Sequence, residues 1–255
     1  MKLDRRGFLT LATATAATNL LLARPALLAG RRQFQAIACD AFVIFDPRPV
    51  AALAEQLFPG KGGELLKLWR ARQFEYQWLH ALAAHYADFQ QATDEALVFA
   101  ANELQLTLPR ATRTRLVQAY SELRAWPDVA PALAAFKDAG IRVALLSNMT
   151  AAMLAANMEN AGLQGAFAHV LSTDRIRAYK PEPRAYQMAV DAFALPAEAI
   201  VFAAFAGWDA AGARWFGYPT FWVNRLGSPP EELGAPADAT GMSCADLAAF
   251  VRSQR

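Results

Sequence analysis

From Phe34 to Asp46 the chain is apolar almost without a break, and a run of that length suits one strand buried on both faces. Asp40 is its exception. A carboxylate beside a core strand costs several kcal/mol unless it is paired or hydrogen-bonded, so this residue needs either a partner or a task. From Val50 to Leu123 the spacing changes to threes and fours, as in 65–79, where Leu65, Trp69, Phe74, Tyr76 and Trp78 recur along one helix. A second helix is expected over 92–104, with Thr93 or Asp94 as its cap. After Asp128 helix and strand alternate: helices over 132–139, 151–161, 184–193, from 210 and over 244–252, and strands over 141–146, 169–171, 199–205 and 220–223. Alternation of this kind gives a parallel α/β sheet with right-handed crossovers, and the helical block between its first two strands reads as an inserted cap.

Composition changes this picture little. With 255 residues, 55% of them hydrophobic and 19% charged, the chain is globular, and a net charge of +2 without basic clusters gives no sign of a nucleic-acid partner. The start is different in kind. Arg5-Arg6 followed by Phe8-Leu9, a mild apolar stretch to Leu22 and an Ala-rich exit at Ala29-Gly30 resemble a twin-arginine export signal over 1–30, which implies a periplasmic protein. That stretch is shorter than the roughly 20 apolar residues a membrane span needs, so no stable anchor is expected. Cys39 and Cys244 are the only cysteines, and Cys39 lies inside the first strand, so two buried free thiols are expected rather than a disulfide.

Asp40, Ser147 with Asn148, Lys180 and Asp209 each follow a strand or lie in a loop, and parallel strands would bring them to one crevice at the carboxyl ends. Other signals are weak. His80, His85 and His169 lack metal-ligand spacing, Gly60-Lys61-Gly62-Gly63 lacks the spacing of a phosphate loop, and no G-x-S-x-G is present.

The motifs Asp40-Ala41-Phe42, Trp69-Arg70 with Gln73, Glu75-Tyr76-Gln77-Trp78-Leu79, Phe89-Gln90-Gln91-Ala92-Thr93, Leu146-Ser147-Asn148, Tyr179-Lys180-Pro181, Trp208-Asp209-Ala210 and Gly212-Ala213-Arg214 resemble the haloacid dehalogenase superfamily, within it the L-2-haloacid dehalogenases. The resemblance covers nearly all of the chain from Phe34 to about Phe250. It implies a Rossmann-like α/β core over 31–46 and 128–255, a parallel sheet flanked by helices, with an all-helical cap over 47–127.

By that resemblance Asp40 attacks C2 of a short (S)-2-haloacid and water then hydrolyses the ester at the Asp40 carbonyl, giving the (R)-2-hydroxyacid. Lys180 would keep Asp40 ionised and placed, and Asp209 would hold Lys180 and orient the water. Arg70 would hold the departing halide with Asn148 and Phe89, Ser147 would bind the substrate carboxylate, and Phe42 and Trp208 would wall the pocket. Phe42 stands where the phosphatase branch has a second Asp, so neither phosphoryl transfer nor a metal or other cofactor is implied. Family members are often homodimers, and the aromatic helix of the cap is of a size to suit a subunit contact. The chain departs from the dehalogenase pattern at Val43 and Ile44, where Gly-Thr is usual, and at Ala204-Phe205-Ala206, where Ser-x-Asn is usual. A preorganised polar group is worth about 10²–10³-fold in rate, so these losses bear on ester hydrolysis. They leave, as the alternative, a weak or inactive exported relative that binds small carboxylates or a partner.

Overall fold

A computed structural model describes residues 34–254; the export-signal reading of 1–30 lies outside the described residues. Six parallel strands form one sheet in the order β5-β4-β1-β6-β7-β8, comprising β1 (Ala36–Cys39), β4 (Arg142–Ser147), β5 (His169–Ser172), β6 (Ile200–Ala204), β7 (Thr220–Val223) and β8 (Ala239–Gly241). Alternate side chains go to opposite faces, as strand geometry requires. Ile37, Cys39, Val143, Leu145, Val201 and Ala203 face one core with α6 (Val129–Asp138), α7 (Ala151–Asn160) and α10 (Cys244–Ser253). Ala36, Ala38, Ala144, Phe202 and Ala204 face the other with α8 (Pro183–Phe193) and α9 (Gly207–Phe216). The chain runs from β1 outward through β4 to β5 on one side and through β6 to β7 and β8 on the other. The crevice at the carboxyl end of β1 is therefore a topological switch point, where open α/β sheets bind ligands.

The apolar run 34–46 is not one strand. Pairing of β1 stops at Cys39, because the Asp40 carboxylate turns back to accept the Phe42 N–H at 2.9 Å and starts the one-turn helix α1 (Ala41–Ile44). Phe45–Asp46 then forms β2, which pairs antiparallel with β3 (Arg124–Ala125) in a two-stranded ribbon. The helices α2 (Arg48–Leu57), α3 (Gly62–Leu82), α4 (Phe89–Glu103) and α5 (Arg110–Gln118) leave and return through that ribbon, so the helical block is an insertion, as its periodicity predicts.

Two local expectations need correction. α4 begins at Phe89 and is capped by Asp88, whose carboxylate accepts the Gln91 N–H at 2.8 Å. Thr93 is buried instead, its hydroxyl donating to the Phe89 carbonyl at 2.5 Å, and Asp94 pairs with Arg113. The aromatic stripe of α3 is not all core either. Trp69 is buried, but Phe74, Tyr76 and Trp78 are half-buried, and the positions one turn apart that go fully inside after Trp69 are Gln73 and Gln77. Both glutamines are buried with partners, Gln73 on Thr93 and Gln77 on Asn148, while Phe74 and Trp78 pack edge-on against Trp208 of the core and Tyr76 against Phe99 within the cap.

Candidate active site

The turn that ends β1 leaves one Asp40 oxygen bonded to the Phe42 N–H and aims the other at the Lys180 ammonium, 2.7 Å away. Lys180 also reaches Asp209 at 2.6 Å, and its side chain is 1% exposed. One ammonium thus bridges two buried carboxylates. Asp209 lies in the first turn of α9, where the helix dipole favours a negative charge, and its second oxygen accepts the Tyr186 hydroxyl at 2.8 Å. The Lys180 backbone is fixed as well, its N–H donating to Asn148 Oδ1 at 2.9 Å and its carbonyl accepting the Trp78 indole N–H at 3.1 Å.

Burial is the largest influence on Lys180 and opposes its charge, but the charges and hydrogen bonds of Asp209 and Asp40 together outweigh it and hold the ammonium above the ordinary lysine range. Burial pushes Asp209 up to about 6 against the pull of Lys180, with Asp40 adding to the rise. Ser147 Oγ accepts the Met149 N–H at 3.1 Å, which leaves its own O–H to donate into the site. Asn148 is more committed than its expected role on the halide requires. Its oxygen serves Lys180 and Thr173 and its amide nitrogen donates to Gln77 Oε1 at 3.2 Å, so one N–H remains for a ligand.

Asp40, Phe42, Arg70, Phe89, Ser147, Asn148, Lys180, Trp208 and Asp209 line a single cavity, with Phe74, Phe205 and Ala206. All nine side chains singled out in the sequence therefore meet at the switch point, Arg70 arriving from cap helix α3. No carboxylate pairs with Arg70 among the described residues, so its guanidinium is the cation of the cavity still free for an anion. The space is about 20 Å³, room for one water. Ala204 closes β6 and Ala206 occupies the N-cap of α9 without a side-chain bond, so neither adds a donor.

Tyr186 was missed by sequence reasoning. It lies on the buried face of α8, and a fully buried tyrosine implies a partner for its hydroxyl, but nothing local says which. Gly212 on α9 brings the two together, since a Cβ there would stand 2.4 Å from the Tyr186 hydroxyl and 2.7 Å from Pro181 Cβ. Among the described residues no group of three or more His, Cys, Asp and Glu side chains is placed to hold a metal. Cys39 and Cys244 are both buried and unpaired.

A buried carboxylate at the tip of the central strand, an ammonium tying it to a second carboxylate and an arginine lowered from inserted helices define a class, the capped α/β enzymes. Comparison with known proteins narrows it. A family profile described as haloacid dehalogenase-like hydrolase matches residues 12–217. The chain is 41% identical over 203 residues to the (S)-2-haloacid dehalogenase of Pseudomonas sp. (strain YL), covering 79% of this chain and 88% of that one. It is 38% identical over 210 residues to haloacetate dehalogenase H-2 of Moraxella sp. (strain B), covering 82% and 94%. Among solved structures, the L-2-haloacid dehalogenase of Xanthobacter autotrophicus with chloropropionic acid covalently bound superposes with a TM-score of 0.80 at 31% identity, over 87% of this chain and 100% of that chain. The chain belongs to the haloacid dehalogenase-like hydrolase family.

Proposed function

We propose that this protein hydrolyses short (S)-2-haloacids to (R)-2-hydroxyacids through an ester on Asp40. The observation that carries this reading is the cavity in which an ion-paired carboxylate and an arginine without an acidic partner share one wall set. In the first half-reaction a lone pair of an Asp40 oxygen attacks C2 opposite the halogen, the carbon–halogen bond breaks with its electron pair, and the halide leaves toward Arg70. A developing anion needs positive donors already in place, and Arg70 with the remaining Asn148 N–H supplies them. Ser147 holds the substrate carboxylate. In the second half-reaction water adds to the Asp40 carbonyl carbon, the ester C–O bond breaks, and Asp40 returns as carboxylate with release of the hydroxyacid and a proton. Lys180 neutralises the Asp40 carboxylate before attack and the negative charge that returns when water adds to the ester, and Asp209, held by Tyr186, orients Lys180 and the water. Neither step calls on a metal or organic cofactor, because the Lys180 ammonium is the cation between the two acids.

The cap boundaries 47–127, export through the Arg5-Arg6 signal to the periplasm, and a homodimer belong to the same proposal. Support for export is the signal pattern alone. Chloride release from (S)-2-chloropropanoate by the chain lacking residues 1–30, with Asp40→Asn as control, tests the activity. Release that vanishes in the variant supports it, and release no greater than in the variant contradicts it.

A further inference from the structure

The catalytic cavity, at about 20 Å³, admits one water, while even a three-carbon 2-haloacid is several times that size, so a wall must move for substrate to enter. Most walls are tied. Asp40, Asp209 and Lys180 hold one another, and Ser147 and Asn148 are hydrogen-bonded to backbone. The cap is tied too: Trp78 donates to the Lys180 carbonyl, Tyr179 to the Ala87 carbonyl, Tyr86 to Asp174 and Asn148 to Gln77, at 3.1, 2.5, 2.8 and 3.2 Å. Swinging the cap on this side would break all four.

Trp208 is different. The indole N–H groups of Trp69, Trp78, Trp126 and Trp222 each reach a backbone carbonyl. Trp208 has no such acceptor among the described residues, nor has Trp215 on the open surface, and Trp208 is held by edge contacts with Phe74 at 5.3 Å and Trp78 at 5.5 Å between ring centroids. Behind it lies a groove of about 700 Å³, floored by Trp78, Leu82, Trp215 and Leu233 and rimmed by Glu182 and Arg184. Leu82, Trp215 and Leu233 are 86%, 60% and 43% exposed, unusual for large apolar side chains. Trp208 is the residue common to the walls of cavity and groove.

We infer that Trp208 is a gate and that the groove is a subsite for the alkyl chain of the substrate, so that the range of the protein extends from the short 2-haloacids to those with linear chains of medium length. The carboxylate and halogen occupy the polar cavity, the indole turns aside without loss of a hydrogen bond, and the chain lies on Trp78, Leu82, Trp215 and Leu233. This rests on the dehalogenase reading and specifies its substrate.

The test is chloride release from (S)-2-chloro acids of three, four, six and eight carbons by the wild-type chain and by Leu233→Asp, an exposed substitution. Burial of a methylene is worth about fourfold in affinity, so kcat/KM in the wild type rises with chain length, by about tenfold or more between the three- and eight-carbon acids. In Leu233→Asp the eight-carbon value falls by about tenfold relative to the three-carbon value. A wild-type kcat/KM that falls with chain length, or a variant that lowers both acids equally, overturns the subsite. Absence of chloride from every acid overturns the dehalogenase reading beneath it, which keeps the two failures distinct.

Discussion

Replacing Lys180 with methionine keeps the length and apolar stem of the side chain and removes its charge, leaving Asp40 and Asp209 facing each other in a buried site. The magnitude follows from burial. An exposed ion pair is worth about 0–1 kcal/mol, but the Lys180 side chain is 1% exposed and holds two carboxylates at 2.7 and 2.6 Å, so the buried range of about 3–5 kcal/mol applies. Each acid keeps one other donor, the Phe42 N–H or the Tyr186 hydroxyl, which argues for about 4 rather than more. For a domain of this size that is a fall in Tm of about 8–16 °C. The loss has a pH signature. Without the ammonium, ionising both acids puts two uncompensated charges into a buried site that the unfolded chain does not have, so stability is lost as pH rises above about 4, and the deficit is larger at pH 8 than at pH 5. Urea unfolding of both chains at those two pH values measures it. A variant as stable as the wild type, or equally destabilised at both pH values, would refute the account of one ammonium between two acids.

Tyr186→Phe removes a hydrogen bond that favours the ionised form of Asp209, which titrates at about 6. If turnover needs the carboxylate, activity falls as pH drops through about 6 in the wild type, and in the variant that acid limb moves up by about one unit. A pH profile with an unmoved limb would contradict the role given to Tyr186. Gly212→Ala drives a methyl into the Tyr186 hydroxyl and Pro181 and should cost about 1–3 kcal/mol in urea unfolding, with kcat reduced more than KM is raised. A neutral substitution would show that α8 and α9 have slack. Burial pushes the Cys244 thiol up to about 12 and Cys39 well above its usual range, so neither should react with a thiol reagent at pH 8 until the chain is unfolded.

Much of the site was legible in the sequence because its polar residues follow strands or lie in the loops after them, and the carboxyl ends of a parallel sheet share one side. The alternation of helix and strand alone places Asp40, Ser147, Asn148, Lys180 and Asp209 in one crevice. Arg70 was a different matter. Helical periodicity assigns it to a cap helix without saying that the cap folds over the sheet, and only the resemblance carried that expectation. What was not legible depends on contacts between segments distant along the chain. The β2–β3 ribbon joins residues about 80 positions apart through two pairs of residues. The turn at Asp40 rests on one side-chain bond inside a run that otherwise reads as strand. Tyr186 looks like any apolar-face aromatic until Gly212 is seen to admit its hydroxyl to Asp209. The burial of Gln73 and Gln77, polar by type, is of the same kind, because each meets a buried partner from another element.

The central claim is that an oxygen of Asp40 forms, and then releases, a bond to the substrate carbon. A single turnover of excess enzyme with (S)-2-chloropropanoate in ¹⁸O-labelled water, followed by mass spectrometry of the peptide containing Asp40, tests it directly. Attack of water on the ester carbonyl predicts label in the Asp40 carboxylate and none in the first-turnover hydroxyacid, whereas label found in the product alone would mean that water, and not Asp40, displaces the halide.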